Sequence, residues 1–337
     1  MAADTNTQIV LRERPTGALA ESHFELRQGP VPSPGEGQLL VRSVLLSLDA
    51  ANRAWMQGPT YKDAVNAGDV MHGGALGEVL ESRAPGFRPG ELVFGELGWQ
   101  QYAAVDARAV QRCSAHRPLS HQLSVLGIAG KTAYHGLVHV AGIAAGETLV
   151  VSAAAGSVGS LVGQIGKLRG ARVVGVAGGA EKCAWVVDEL GFDACIDYKG
   201  EDVSAALARH CPGGIDVYFD NVGGPVLQAA LFAMKLHGRI ACCGAVSMYD
   251  GGPITGPVGI PGLLVVKRIR MEGFIVMDFA DRDAEAEREL AAWTASGQLR
   301  VVEDVIDGLE NAPRGLIGLL HGENRGKRMI RVGPDPD

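Results

Sequence analysis

The sequence predicts an α/β fold with two parts, a doubly wound parallel sheet of six strands and a mainly β domain. Three observations lead to this prediction. From about residue 147 onwards, short apolar runs alternate with segments of helical pattern, as in right-handed β–α–β crossovers. One of these runs, 148–152, passes directly into a turn of small residues. Before about residue 125, short strand-like runs are instead separated by proline and glycine turns such as 32–37 and 85–90, which is typical of mainly β structure.

The individual elements follow from the apolar pattern and from the residues that interrupt it. Strands of the parallel sheet are predicted at residues 148–152, 172–177, 194–198, 216–220, 239–245 and 269–276. Helices are predicted at residues 157–169, 181–190, 203–210, 226–236 and 283–296. Six strands that alternate with helices are typical of the doubly wound dinucleotide-binding domain, the Rossmann fold.

The tail of the chain has a different pattern from the alternating segment before it. Its predicted elements are strands at 301–302 and 328–332 and a helix near 313–320. We therefore expect the tail to rejoin the N-terminal part, so that residues 1–125 and 299–337 form one domain and residues 126–298 the other. The stretch 251–262 is punctuated by glycine and proline and is expected to form no regular structure.

The turn after residue 152 is the most informative local feature of the chain. It reads A-x-G-x-x-G, with Ala154, Gly156 and Gly159 at the small positions and Ser157 and Val158 between the two glycines. Small residues allow backbone N–H groups and a helix N-terminus to approach a pyrophosphate, which bulkier side chains would hold away. Taken alone, the motif also fits a turn that serves only helix packing.

The composition favours a small-molecule partner. The formal net charge of −7 is spread along the chain without a basic stripe, which argues against nucleic acid and anionic membrane surfaces. The first residues lack the pattern of a signal peptide and no later stretch offers about twenty uninterrupted apolar residues, so we expect a cytoplasmic protein. Six cysteines lack C-x-x-C spacing and are expected to be reduced and structural.

Several further motifs occur in a fixed order along the chain. They are Ser47-Leu48-Asp49 with Arg53 and Met56, Gly73-Gly74 with Gly77-Glu78-Val79, Thr132-Ala133-Tyr134, Asp220-Asn221-Val222-Gly223-Gly224, Cys243-Gly244-Ala245 with Ser247 and Tyr249, and Asn324 with Gly326-Lys327. Together with the small-residue turn, they resemble the zinc-independent medium-chain dehydrogenase/reductases, in particular the prostaglandin, 2-alkenal and other double-bond reductases. The resemblance covers nearly the whole chain, and it implies a GroES-like catalytic domain beside a Rossmann NADP-binding domain.

The chain departs from this family pattern at three places. Where the family usually has Asp-Pro-Tyr-Met-Arg, residues 49–53 read Asp-Ala-Ala-Asn-Arg. His72 replaces a common arginine, and Asp250 replaces a common asparagine. The first two departures fall in the domain that helps to shape the substrate pocket in this family. Altered residues there predict a larger pocket and better turnover of bulky enones than of short ones.

The residues at the end of the second Rossmann strand indicate which cofactor the protein prefers. NAD-specific sites usually place an acid about 20 residues after the glycine turn, where it binds the ribose 2′-hydroxyl. Here residues 176–180 are small and uncharged, and Lys182 follows as a point-charge partner for a 2′-phosphate. The resemblance assigns Lys182 and Tyr198 to that phosphate. Glu181 is a competing feature, because it could turn toward the ribose and permit NAD, but NADP is favoured.

No metal site is expected. By alignment with the zinc-dependent relatives, the ligand histidine is replaced by Gly73, and the four-cysteine structural zinc loop is missing. His135 and His139 stand four apart on a predicted helix, a spacing that suits one metal ion. Because no third ligand is evident, we interpret both as ordinary helical histidines.

Without a metal, the chemistry depends on a cofactor hydride and on hydrogen-bond donors, which suits a conjugated carbonyl. Tyr249 is the leading candidate donor, because it follows a strand whose carboxyl end meets the ligand. Tyr61, in a loop of the first domain, is the second candidate. For both, the alternative is a packing residue whose hydroxyl is satisfied locally.

The resemblance extends the expected cofactor contacts to Asn221, Cys243, Gly244, Tyr249 and Asn324. It also implies a homodimer joined through the edge of the Rossmann sheet near 269–276. The sequence thus predicts an NADPH-dependent reductase of the C=C bond in α,β-unsaturated ketones and aldehydes. A quinone reductase of the same superfamily and a non-catalytic NADPH-binding regulator are the alternatives.

Overall fold

The computed structural model describes residues 5–113, 116, 118–251 and 256–336. In these ranges the chain forms a six-stranded sheet, a seven-stranded sheet and a two-stranded sheet. The six-stranded sheet is wholly parallel and the seven-stranded sheet is mainly antiparallel. The predicted fold class, a doubly wound parallel sheet beside mainly β structure, is thereby confirmed.

The N-terminal strands build most of the antiparallel structure. They are β1 (Thr5–Leu11), β2 (Phe24–Pro30), β3 (Gln38–Ser47), β4 (Gly74–Ser82), β5 (Leu92–Glu96), β6 (Tyr102–Asp106) and β7 (Val110–Arg112). Strands β1 and β2 pair with each other, and β3 lies in the middle of the seven-stranded sheet, where it pairs with β4 and β6. Fully buried side chains such as Leu39, Val41 and Trp99 form the core on this side of the molecule.

The parallel sheet is built from the middle of the chain. Its strands are β8 (Thr148–Ser152), β9 (Arg172–Ala177), β10 (Ala194–Asp197), β11 (Ile215–Asp220), β12 (Met234–Cys242) and β13 (Arg270–Gly273). They lie in the order β10-β9-β8-β11-β12-β13, so the direction of winding reverses between β8 and β11. The carboxyl ends of these two strands flank the crevice where doubly wound sheets bind ligands.

Helices cover both faces of the parallel sheet. In chain order the helices are α1 (Ala51–Trp55), α2 (Ile128–Tyr134), α3 (Ser157–Leu168), α4 (Ala180–Leu190), α5 (Val203–His210), α6 (Gly224–Ala233), α7 (Ile260–Lys267), α8 (Asp283–Ala295) and α9 (Ala312–Leu320). Helices α2, α3 and α8 pack on one apolar cluster of the sheet, and α5 and α6 on the other. None of the helices in the described ranges is long and apolar enough to span a membrane.

The tail returns to the N-terminal strands. Strand β14 (Glu303–Asp307) pairs with β15 (Lys327–Arg331), and β15 pairs with β3 through Met329, Ile330 and Arg331. The strand predicted at 301–302 is wrong in its position, because the pairing of β14 with β15 begins only at Glu303. Val302 instead uses its carbonyl oxygen to accept the N–H of Lys327 at 2.9 Å.

Three predicted boundaries in the parallel half are also corrected. The helix predicted at 226–236 ends at Ala233, because Met234 pairs with Ile215 and begins β12. The strand predicted at 239–245 ends at Cys242, where the next two backbone N–H groups turn back to the Asp220 carbonyl. The strand predicted at 269–276 is reduced to Arg270–Gly273.

The glycine- and proline-rich stretch 251–262 contains regular structure after all. Helix α7 begins at Ile260, with Pro261 in its first turn, where the missing N–H of proline costs no hydrogen bond. Gly259 precedes it with a φ of 71°, a left-handed conformation that glycine adopts freely. Residues 252–255 of this stretch lie outside the described residues.

Candidate active site

The turn between β8 and α3 lies at the reversal point of the sheet. Ala153 adopts a left-handed φ of 51°, and the N–H of Gly156 donates to the Ala153 carbonyl at 2.8 Å. A Cβ added to Gly159 would lie 2.2 Å from that same oxygen, so only glycine fits there. Ala154, Gly156 and Gly159, the small positions of the predicted turn, thus form one tight turn.

The start of α3 offers free donors beside this turn. The first N–H groups of a helix have no partners within it, and Ser157 and Val158 occupy these first positions. The Ser157 hydroxyl is buried without a hydrogen-bond partner among the described residues. A phosphate group is a good acceptor for such donors, so this turn fits the phosphates of a dinucleotide.

A second turn, in the tail of the chain just before β15, packs against the β8–α3 turn. Gly326 donates its N–H to the Ala155 carbonyl at 2.9 Å and forms an isolated bridge with Gly156. Lys182 donates to the carbonyl oxygen of Asn324 at 2.5 Å and also to that of Gly322. The structure therefore brings Lys182 and Asn324 close to the β8–α3 turn, but the Asn324 amide donates within its own turn, to the Gly326 carbonyl at 2.8 Å.

Positive charges cluster near Lys182. Burial lowers the pKa of Lys182, and the nearby cations Arg325 and Lys199 lower it further. Tyr198 covers Gly178, since a Cβ at Gly178 would lie 3.0 Å from the Tyr198 hydroxyl. Clustered cations favour the binding of an anionic group.

The negative charge of Glu181, which in the sequence could favour NAD, is neutralised by Arg325. The sequence did not identify Arg325 as part of the site. The Glu181 carboxylate pairs with the Arg325 guanidinium, which also lies 5.6 Å from the centre of the Trp185 ring. The two charges are 144 residues apart in sequence, so no local pattern could have revealed the pair.

The loop after β12 carries the leading candidate donor. The Tyr249 hydroxyl oxygen accepts the Ala245 N–H at 3.2 Å and lies close to Gly244. No hydrogen bond in the described part of the chain uses the hydroxyl hydrogen of Tyr249. The backbone carbonyl of Asn221 accepts the N–H of Val246 at 3.2 Å. The side-chain amide of Asn221 donates to the Ser152 carbonyl at 2.8 Å and thus stabilises the turn at the end of β11.

A cavity of about 320 Å³ adjoins this loop. Its lining includes Leu227, Cys243, Gly244, Met248 and Tyr249. Burial raises the pKa of the Cys243 thiol to about 12, so the thiol stays protonated near neutral pH and is a poor nucleophile. All six cysteines are free, as expected.

Tyr61 lies in the loop that follows α1. Its ring is edge-on to Trp55 at 6.4 Å, and the residue is 55% exposed. Burial raises the pKa of Tyr61 and outweighs the lowering effect of a hydrogen bond with Trp55, and the charge of Asp49 raises the pKa further, so the hydroxyl stays protonated. Tyr61 is the more solvent-accessible of the two candidate donors.

Two of the departures from the family pattern contact each other. Asn52 is buried, and its side-chain amide donates to the His72 carbonyl at 3.0 Å. The Asn52 side-chain oxygen accepts the Asp49 N–H at 2.8 Å. These residues therefore fix the start of α1, while Ala51 presents only a methyl group to its surroundings.

His135 and His139 belong to a packed aromatic cluster. His135 is buried with its Nε2 3.1 Å from the Asp283 carboxylate, and its ring stacks on His139 at 5.3 Å and on Phe279 at 5.1 Å. Within the described ranges, no three histidine, cysteine or acidic side chains are grouped so as to hold a metal.

Family models match both parts of the chain. Residues 7–113 match the model described as the N-terminal domain of oxidoreductase, and residues 157–295 match the model described as zinc-binding dehydrogenase. The chain is 45% identical to the NADPH-dependent curcumin reductase of Escherichia coli (strain K12) over 98% of each chain. It is 39% identical to the 2-alkenal reductase (NADP(+)-dependent) of Nicotiana tabacum over 97% of this chain and 98% of that one.

A solved structure agrees with these matches. The CurA protein of Vibrio vulnificus, in complex with NADPH, superposes with a TM-score of 0.92 at 42% identity and covers 98% of this chain and 100% of its own. Fold and site define an oxidoreductase built around a dinucleotide turn. The chain belongs to the medium-chain dehydrogenase/reductase family, in its zinc-independent group of curcumin, alkenal and prostaglandin reductases.

Proposed function

We propose that the protein uses NADPH to reduce the C=C bond of α,β-unsaturated ketones and aldehydes. The observation that carries this proposal is the Tyr249 hydroxyl, which accepts the Ala245 N–H and keeps its own hydrogen for another acceptor. It lies beside Gly244 at the carboxyl end of β12, where doubly wound sheets meet their ligands. Relatives named for the reduction of curcumin and 2-alkenals support the same substrate class.

The residues present fit NADPH. The N–H groups at the start of α3 and the Ser157 hydroxyl would bind its pyrophosphate, and Lys182 and Tyr198 its 2′-phosphate. Residues Asn221, Cys243, Gly244 and Asn324 would border it through backbone and side-chain contacts. When bound, NADPH supplies the hydride for the β-carbon and a ribose hydroxyl as a further hydrogen-bond donor.

Tyr249 would act on the carbonyl oxygen of the substrate. As the β-carbon is reduced, negative charge moves to this oxygen and an enolate forms. A donor already in place stabilises that charge more than it stabilises the neutral substrate, and so lowers the barrier. The Ala245 N–H supports this role, because it stabilises electron density on the phenolic oxygen as Tyr249 donates.

Protonation of the α-carbon completes the reduction. Tyr249 is our leading candidate for the proton donor, because its hydroxyl hydrogen is not used in another hydrogen bond of the described residues. Tyr61 is the second, because its raised pKa keeps the hydroxyl protonated and it has solvent access. Solvent water is the remaining source of this proton.

The reaction is tested by following NADPH, and separately NADH, by absorbance with a short enal, an aryl enone, a cyclic enone and a quinone. We expect NADPH loss with the enones and recovery of the saturated carbonyl compound. Faster turnover of the quinone would instead favour a quinone reductase. Tight NADPH binding without turnover of any compound would favour a non-catalytic regulator.

The same panel tests substrate size. Ala50 and Ala51 replace the bulkier proline and tyrosine of the family pattern, so we propose a pocket that accepts large acyl or aryl groups. The aryl enone should have a higher kcat/KM than the short enal. Equal values would contradict this part of the proposal.

Removal of the Tyr249 hydroxyl tests the mechanism. We expect Tyr249→Phe to lower kcat by about 10²- to 10³-fold, the usual cost of losing one donor to a developing oxyanion, with an unchanged NADPH Kd. Tyr102→Phe, on β6, makes the same chemical change in the other sheet and should leave kcat unchanged. Unaltered kcat in Tyr249→Phe would exclude Tyr249 as the donor.

We also propose a homodimer. Strand β13 is at the edge of the parallel sheet, and Val258, Val265 and Val266, in the segment that precedes it, are 75%, 74% and 68% exposed. An unpaired strand edge flanked by exposed apolar side chains favours pairing with a second copy. Sedimentation equilibrium should give twice the 35.2 kDa chain mass, and a single-chain mass would contradict the proposal.

A further inference from the structure

The segment that carries Tyr249 is attached to the parallel sheet on one side. The N–H of Val246 donates to the Asn221 carbonyl at 3.2 Å, and the Ser247 hydroxyl donates to the Val222 carbonyl at 2.6 Å. These contacts join the segment to the turn that follows β11. We call residues 245–251 the tyrosine segment.

The Asp250 carboxylate attaches the same segment to the N-terminal part on its other side. The Asp250 Oδ1 atom accepts the Arg53 Nε–H at 3.0 Å and the Leu19 N–H at 2.8 Å. The Arg53 side chain is 1% exposed and that of Asp250 is 22% exposed. Arg53 also donates to the Gly17 carbonyl at 2.7 Å, so the buried guanidinium holds both the segment and the loop after β1.

Two neighbouring contacts fix the position of the tyrosine segment against the N-terminal part. Gln57 donates its side-chain amide to the Tyr249 carbonyl at 2.7 Å. Gly251 has a φ of 71°, and a Cβ at this position would lie 2.7 Å from the backbone carbon of Gly17. Contacts therefore run from Tyr249 to Gly251 without a break.

We propose that Arg53 and Asp250 are positioning residues that hold Tyr249 over the substrate cleft by joining the tyrosine segment to the N-terminal part. A cation buried to this degree needs a charged or well-matched acceptor, and Asp250 supplies it. The contact is therefore an ion pair between the Arg53 guanidinium and the Asp250 carboxylate. This inference rests on the proposed role of Tyr249.

Asp216 offers a matched control. Its carboxylate also accepts one backbone N–H, that of Thr148 at 2.8 Å, and one cation, Lys235 at 2.6 Å, and its side chain is 19% exposed. It differs in lying at the amino end of β11, away from the tyrosine segment. Asp216→Ala thus removes the same kind of ion pair without touching the segment.

The kinetic test compares Asp250→Ala, Asp250→Asn and Asp216→Ala with the unsubstituted enzyme. We expect Asp250→Ala to lower kcat for an enone by about 10²-fold, as misplacement of a reacting group can do, with an unchanged NADPH Kd. Asp250→Asn keeps an acceptor for Arg53 and Leu19 and should recover most of kcat. An equal loss in Asp216→Ala would overturn the proposal, because the effect would then be general.

Dependence on Tyr249 separates positioning from other roles. If Asp250 acts through the Tyr249 hydroxyl, then Asp250→Ala in the Tyr249→Phe background should change kcat by about twofold or less, which is the usual error of additivity. A full additional loss in that background would show that Asp250 does not act through Tyr249.

Amide hydrogen exchange tests the contact without any turnover. The amides of residues 246–250 should exchange faster in Asp250→Ala than in the unsubstituted protein and in Asp216→Ala. Absence of turnover in the unsubstituted protein would reject the proposed function alone, whereas unaltered exchange would reject the positioning contact. If Asp250→Ala does not fold, Gly251→Ala serves instead, because its added Cβ should push the segment from Gly17 and increase the same exchange.

Discussion

At the scale of single residues, we propose that the choice of cofactor depends on the charges around Lys182. Glu181, which follows the end of β9, is the residue that could favour NAD. Its side chain is 88% exposed, yet its carboxylate is paired with Arg325. The pair cancels the repulsion that a free carboxylate would exert on a 2′-phosphate. We propose that Lys182, with Lys199 nearby, then offers positive charge to a 2′-phosphate, which would account for a preference for NADPH.

Replacement of Lys182 tests this account. Lys182→Ala should lower kcat/KM for NADPH by about 10- to 100-fold, the range expected for a charge-assisted hydrogen bond to phosphate, and should change kcat/KM for NADH little. Lys167→Ala, which removes a surface lysine paired with Asp193, is the control and should alter neither value. Equal losses with both cofactors would show that Lys182 does not contact the 2′-phosphate.

At the scale of elements, the β8–α3 turn combines strain with close packing. Ala153 is held at a left-handed φ, which is unfavourable for a residue with a Cβ. Its carbonyl oxygen accepts the N–H of Gly156 and lies against Gly159. The turn can bring backbone donors to a phosphate only because its small residues let the first turn of α3 approach the strand end.

Gly159→Ala should therefore act on both stability and binding. Its Cβ would clash with the Ala153 backbone, and we expect the free energy of unfolding to fall by about 1–3 kcal/mol, typical of overpacking, together with weaker NADPH binding. Gly29→Ala, on β2, has open space around the new Cβ and should change neither. Urea denaturation and NADPH titration by fluorescence measure the two effects. Unchanged binding in Gly159→Ala would show that the turn does not contact the cofactor.

At the scale of the whole molecule, one ion pair joins the tail to the N-terminal strands. Lys327, on β15, donates to the Asp49 carboxylate at 2.5 Å and to the Leu48 carbonyl at 3.0 Å, and its side chain is 3% exposed. Burial opposes ionisation of Asp49, but Lys327 and the Ser47 hydroxyl outweigh it and lower the pKa of Asp49 below its usual value of 3.8. The ionised carboxylate therefore stabilises the folded chain.

This stabilisation should depend on pH. A lowered folded-state pKa contributes stability above pH 3.8, and the contribution disappears as the pH falls through the lowered pKa. Asp49→Asn should be less stable at pH 7 by about 1 kcal/mol, a modest value because the 42% exposed carboxylate is partly screened. The difference from the unsubstituted protein should shrink toward zero below about pH 4. Denaturation of both proteins at several pH values measures this difference in the free energy of unfolding. A difference that does not change with pH would contradict this role of Asp49.

Local pattern predicted the elements of the parallel sheet well. Strands β8 and β9 and helix α5 begin and end where the apolar pattern places them, because each is bounded by turn or capping residues close in sequence. The pattern was wrong at 234–236, since these residues suit a helix but Met234 pairs with Ile215 in the sheet. It was wrong again at 260–262, because a proline in the first turn of a helix does not break it.

The sequence by itself determined the fold class, the family and the small-residue turn between β8 and α3, because these depend on residues that are neighbours along the chain. It also identified Tyr249, Tyr61 and Lys182 as candidates, but not the atoms that contact them. Only the tertiary structure paired Glu181 with Arg325 and Asp250 with Arg53, since each pair joins residues more than a hundred positions apart. Local periodicity carries no information about such contacts, because they form only when the sheets are packed together.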